Sequence, residues 1–194
     1  MQTLKQWIDS FEDIMENLDV REKTGTTLIP EQAFSLLSKR ASVARTRGAS
    51  IFLIGNGASS SMAGHVAADL AKNGCLRTWA FNDPSLLTAV GNDNGYENIF
   101  SLPLQRLGRP GDMLIAISSS GNSPNIIKAV QTATELEIDV ITFSAMQGDN
   151  HLRKMGSLNF YVPAQTYGHA ESAHAALLHY WIDLHVDEAQ DKIS

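Results

Sequence analysis

The sequence predicts an α/β fold: a three-layer αβα sandwich around a five-stranded parallel sheet, in a single domain with an N-terminal helix pair. Three observations carry this. Five short apolar runs, at 50–54, 77–81, 113–117, 139–143 and 158–162, are bounded by turn residues and read as buried strands. Stretches of helical periodicity separate them, at 60–73, 96–107 and 124–136, with a weaker turn near 150–155. Strand alternating with helix gives a parallel sheet covered on both faces, with right-handed crossovers. Finally, small polar loops follow the first and third of these strands, where ligands collect beyond the carboxyl ends of a parallel sheet.

Ahead of the first strand, Leu4, Trp7, Ile8, Phe11, Met15 and Leu18 recur at helical spacing among acidic residues, which predicts an amphipathic helix over 2–18. A second helix starts at Pro30, a residue suited to a first turn, and runs through Phe34, Leu36, Leu37 and Val43 to Arg47, stopping at Gly48. With no strand before them, both helices are expected to pack on another copy of the chain or to cover the sheet edge. Residues 1–47 are thus the helical extension and 48–194 the αβα core, closed by a last helix over 169–187.

The third strand, Met113 to Ile117, ends in Ser118, Ser119, Ser120, Gly121, Asn122 and Ser123 before Pro124 opens a helix. Proline costs nothing at a first helical position, whose N–H has no intrahelical partner. Hydroxyls and free amides then meet at the positive end of a helix dipole, which suits a phosphate. The loop after the first strand, Gly55-Asn56-Gly57-Ala58-Ser59, is again built of small residues that let a ligand approach the backbone. It lacks the G-x-G-x-x-G spacing, and no Gly-Lys-Ser/Thr occurs, so dinucleotide and P-loop chemistry are excluded.

At 194 residues, with 43% hydrophobic and 19% charged residues, the chain has the composition of an ordinary soluble globule. A net charge of −6 without a concentrated Lys/Arg patch argues against a nucleic-acid surface. The single Cys75 excludes an internal disulfide and a cysteine-based zinc knuckle. No run reaches the ~18 apolar residues of a membrane span, and the start lacks a signal-peptide core, so a cytoplasmic location is expected.

His65 and Asp69 lie four residues apart on the helix after the first loop, hence on one side of it. Such a pair either holds a divalent metal or presents a base with an orienting partner. On the last helix Glu171, His174 and His179 are expected to share one broad face. The two helices together offer a four-ligand site of two imidazoles and two carboxylates. His151, His169 and His185 read as ordinary structural or surface histidines.

Taken together, Gly55-Asn-Gly-Ala-Ser59, Gly91-Asn-Asp-Asn-Gly-Tyr96, Phe100, Gly108-Arg-Pro-Gly-Asp112 and Ile117-Ser-Ser-Ser-Gly-Asn-Ser123 resemble the sugar isomerase (SIS) family, and within it the phosphoheptose isomerases. The resemblance implies a flavodoxin-like sheet and interconversion of sedoheptulose 7-phosphate with glycero-manno-heptose 7-phosphate through an enediol. It implies one zinc per subunit on His65, Asp69, Glu171 and His179, with Asp69 as general base and His179 as general acid. It also implies a homotetramer that feeds activated heptose into lipopolysaccharide or capsule. By the same resemblance Ser118, Ser119, Ser120 and Ser123 hold the phosphate with Ser59 nearby, Asn56, Gly57 and Ala58 line the sugar, and Asn92 and Asp93 meet its hydroxyls.

Three residues depart from the family pattern: Asp69 stands for Glu, Glu171 for Gln and Ala58 for Gly. Shortening Glu to Asp withdraws the carboxylate by one C–C bond, roughly 1.5 Å, and an ångström of misplacement can cost ~100-fold in rate. Glu171 is therefore expected to share the base role. Two other readings share the fold: a non-catalytic relative that binds the replication initiator protein, and an isomerase or sensor for another phosphosugar. Retention of the acid and histidine set favours the enzyme.

Overall fold

The structure, a computed structural model, describes residues 3–190. The expected first-helix start at Gln2 and the chain end at 191–194 lie outside the described residues. Five parallel strands form the centre: β3 (Ser50–Gly55), β4 (Arg77–Ala80), β5 (Met113–Ser118), β6 (Asp139–Ala145) and β7 (Leu158–Val162). Each matches an expected run to within two residues. The helices are α1 (Leu4–Glu16), α2 (Pro30–Arg47), α3 (Ala58–Lys72), α4 (Pro84–Asn94), α5 (Ser101–Leu107), α6 (Pro124–Glu135) and α7 (Tyr167–Gln190).

The sheet has seven strands rather than five. Two short strands from the segment read as purely helical, β1 (Asp19–Glu22) and β2 (Thr27–Leu28), extend it by antiparallel pairing on β7, giving the order β2-β1-β7-β6-β5-β3-β4. Asp19–Glu22 carries one buried apolar residue, Val20, and three charges, too little for a strand pattern, so its partner had to come from the fold.

A second difference lies between β4 and β5. A helix that none of the expected elements covers, α4, opens there: Asp83 accepts from the Leu86 N–H at 2.9 Å and Pro84 takes the first helical position. The expected helix over 96–107 is split into a short 3-10 turn at Tyr96–Asn98 and α5.

Alternation along the strands divides the core in two. Ile51, Leu53, Ile115, Ile117 and Phe143 face α2, α3 and α7. Phe52, Ile54, Leu114, Ala116 and Val140 face the side of α4, α5 and α6. Burying both faces is what a parallel sheet requires. The N-terminal helices pack on the core of their own chain: Trp7 of α1 stacks on His169 at 4.5 Å, and Phe34 of α2 packs against Phe160 at 4.8 Å.

Candidate active site

The sheet order reverses between β3 and β5, whose following loops pass to α3 and α6 respectively. Both helices point their N-termini at this switch point, so two sets of unpaired amides and two positive dipole ends converge there. Two glycines permit it. A Cβ on Gly55 would lie 2.6 Å from the Ser59 carbonyl, so only glycine lets α3 start this close to the strand. Gly57, the residue that caps α3, holds φ 55° and ψ −124°, a region glycine alone visits without strain.

A cavity of about 170 Å³ opens between these loops, lined by Asn56, Ser59, Ile117, Ser118, Ser119, Ser120, Ser123, Tyr167 and Glu171. Hydrogen bonds fix the serine turn: the Gly121 N–H donates to Ser118 Oγ at 3.2 Å, Asn122 N–H to Ser120 Oγ at 3.3 Å, and the Ser118 and Ser123 hydroxyls lie 3.3 Å apart. Gly121 holds φ +63°, and a Cβ there would meet Asn150 Oδ1 at 2.0 Å. Ser119 differs from its neighbours in one respect: its hydroxyl is fully buried without a hydrogen-bond partner.

One pair of side chains ties the two loops together. Asn56 Nδ2 donates to Asn125 Oδ1 at 2.9 Å and Asn125 Nδ2 donates to Asn56 Oδ1 at 2.8 Å. The Ile126 N–H also donates to Asn125 Oδ1, which identifies that atom as oxygen and so fixes both amide orientations. It follows that the exposed Tyr96 hydroxyl, 3.3 Å from Asn56 Oδ1, is the donor. Neither Asn125, Tyr96 nor Tyr167 was among the predicted site residues. Asn125 follows the proline of the serine motif and offered a signal; Tyr167 offered none.

Further along α3 and α7, His65, Asp69 and His179 form a second cluster. Their ligand atoms all lie within 4.8 Å of one another. His65 Nε2 stands 3.3 Å from Asp69 Oδ2, and the two imidazole centroids are 5.1 Å apart. Two donors each ~2.1 Å from one ion are separated by at most ~4 Å, and imidazole with carboxylate is a zinc-type set. These three residues can hold a metal after a small closing movement of side chains.

Glu171 is not among them; it lines the serine cavity instead. His174 departs further from expectation. Three residues turn a helix by ~300° and eight by ~800°, so His174 and His179 fall on either side of Glu171, ~140° apart. His174 faces the core, fully buried, with Nε2 3.2 Å from the Ser144 carbonyl, while His179 is exposed. Burial pushes the His174 pKa down to about 4, so the ring is neutral at pH 7.

Gly57 and Ala58 are exposed and absent from the cavity lining, and so are Asn92 and Asp93. The latter two end α4 and bond to each other at 2.8 Å. His151, His169 and His185 bond to Asn122, Thr166 and Ser38 respectively. No helix of the described residues is long and apolar enough to cross a membrane.

The SIS domain family model matches residues 6–145. The chain is 36% identical over 138 residues to a phosphoheptose isomerase of Akkermansia muciniphila, covering 68% of this chain and 72% of that one. It is 31% identical over 192 residues to the phosphoheptose isomerase of Geotalea daltonii, covering 95% and 94%. Among solved structures, a phosphoheptose isomerase from Francisella tularensis superposes with a TM-score of 0.80 at 26% identity, covering 97% of this chain and all of the other.

Proposed function

We infer, from the premise that this chain belongs to the SIS-domain family and within it to the phosphoheptose isomerases, that it interconverts sedoheptulose 7-phosphate and glycero-manno-heptose 7-phosphate. The observation that carries the reading is the offset between the two clusters. Glu171, at the serine cavity, precedes His179 by eight residues on α7, about 12 Å of helix rise; Ser59 precedes His65 by six on α3, about 9 Å. A heptulose from its phosphorus to C1 spans eight bonds, roughly 10 Å when each ~1.5 Å bond is projected on the chain axis. With its phosphate on the serines, a seven-carbon chain reaches the His65, Asp69 and His179 group with C1 and C2.

Ser118, Ser120 and Ser123 hold the phosphate through hydroxyls, with the α6 N-terminus behind them and Ser59 beside them. The base removes a proton from C1, and the C–H electrons form the C1–C2 double bond. His179 gives a proton to the C2 oxygen, and the enediol collapses as a proton returns to C2 and the C1 hydroxyl loses its own. Asp69 is the base, from within the cluster; Glu171, expected to share that role, meets the substrate at its phosphate end, about 12 Å of helix rise from His179. A zinc ion held by His65, Asp69 and His179 would stabilise negative charge on the sugar oxygens; Glu171, expected as a fourth ligand, lies at the serine cavity instead.

Self-association as a tetramer accords with the family and with Leu4 and Ile8, exposed on α1 at 74% and 51%. A cytoplasmic location and delivery of product to an activated heptose for lipopolysaccharide or capsule complete the proposal.

The test is turnover of sedoheptulose 7-phosphate by the purified protein against ribulose 5-phosphate and fructose 6-phosphate, with and without a chelator. Turnover of the heptulose at least tenfold above the shorter ketoses, lost on chelation and restored by zinc, is expected. Equal turnover of the pentulose would overturn the length argument. Asp69→Ala and Glu171→Gln then apportion the base: a fully active Glu171→Gln enzyme assigns it to Asp69 alone.

A further inference from the structure

The Ser119 hydroxyl is buried without a partner although Ser119 belongs to the cavity wall, and His174 on α7 carries another unpartnered buried atom. His174 is fully buried on α7, and its Nε2 lies 3.2 Å from the Ser144 carbonyl. A carbonyl only accepts, so Nε2 carries the hydrogen and Nδ1 is left as a bare acceptor. Nδ1 has no hydrogen-bond partner, and neither has Ser119 Oγ. An acceptor and a donor, both unpaired in the interior, are each costly.

The end of the β5–β6 ladder brings them near each other, for Ser119 is the first residue beyond β5. Across the ladder the Ala145 N–H donates to the Ser119 carbonyl at 3.2 Å, and Ala145 belongs to the same core face, one residue beyond the carbonyl that His174 binds. The third unpaired atom nearby, Ser144 Oγ, falls by parity on the opposite face.

We propose that His174 is a positioning residue for the phosphate loop: its Nδ1 accepts from a water that in turn accepts the Ser119 hydroxyl, and this bridge anchors the serine turn to α7. Ser119 then offers the phosphate its backbone, and Ser118, Ser120 and Ser123 offer the hydroxyls. The proposal rests on the phosphosugar isomerase reading, and it links the helix that carries Glu171 and His179 to the loop at the other end of the substrate.

Two substitutions separate the ring's nitrogens. In His174→Gln the amide keeps a donor near the Nε2 position and loses the Nδ1 acceptor; in His174→Asn the reverse holds. Steady-state turnover of sedoheptulose 7-phosphate and calorimetric binding of inorganic phosphate are measured on each, with Ser119→Ala and the double variant Ser119→Ala/His174→Gln. His174→Gln is expected to raise KM and the phosphate Kd roughly five-fold, the scale of one hydrogen bond, with kcat within about two-fold. His174→Asn should bind near the wild-type level with a lower Tm. Ser119→Ala should match His174→Gln, and the double variant should be no worse than either. Unchanged binding in His174→Gln, or losses that multiply in the double variant, overturns the proposal. A wild-type protein that fails to turn over the heptulose while the phosphate pattern holds sinks the isomerase reading and leaves the anchor standing.

Discussion

Asn125 shows how much one side chain can organise. It is 2% exposed, and its amide bridges the two loops while also capping the α6 backbone at Ile126. Removing it leaves Asn56 and the Ile126 N–H without these partners, so Asn125→Ala should lower stability in urea unfolding by about 2 kcal/mol. Tyr96, which donates to the same Asn56 oxygen from an exposed position, is the control: Tyr96→Phe should stay within about 0.5 kcal/mol. The serine turn and its proline announce an anion site in the sequence because caps and hydroxyls are local signals. The Asn56–Asn125 pair spans 69 residues and becomes visible only once the sheet has brought its two loops together.

Helix α7 serves three surroundings at once. Its Glu171 lines the serine cavity, His174 enters the core and His179 meets His65 on α3. Helical angle could have separated His174 from the other two in advance; treating offsets of three and eight as one face hid this. Strands β3, β5, β6 and β7 were legible because near-complete burial makes each a largely apolar run, while β4, at the sheet edge, is only half-buried. Strand β1 was not legible, since its half-charged sequence derives its conformation from β7. The start of α7 is held by α1, where Trp7 stacks on His169 and the His169 ring lies 3.1 Å from the Trp7 carbonyl. Because Trp7 is only half-buried, Trp7→Ala should cost about 2 kcal/mol in chemical denaturation, below the range for a fully enclosed ring.

For the molecule as a whole, His174 predicts a pH dependence of stability. Its pKa is lowered from 6.5 to about 4 in the folded chain, so between these values the unfolded state binds more protons. Stability is therefore complete above about pH 6.5 and falls as the pH drops toward 4, by on the order of 3 kcal/mol from this residue. Denaturation midpoints measured from pH 7 to 4 should decline in the wild type and decline less in His174→Phe, which has no proton to take up.

The antiparallel seam between β1 and β7 has a further consequence, for the order in which the molecule is made. Val20 pairs with Phe160, and α1 rests on α7, so both α1 and β1 depend on partners far downstream in the sequence. During synthesis β3 to β6 can assemble early, whereas the β1–β7 seam must wait until β7 and α7 have emerged. Closing so long a loop is a slow, late step, and it makes formation of α7 the event that locks α1 and β1 in place.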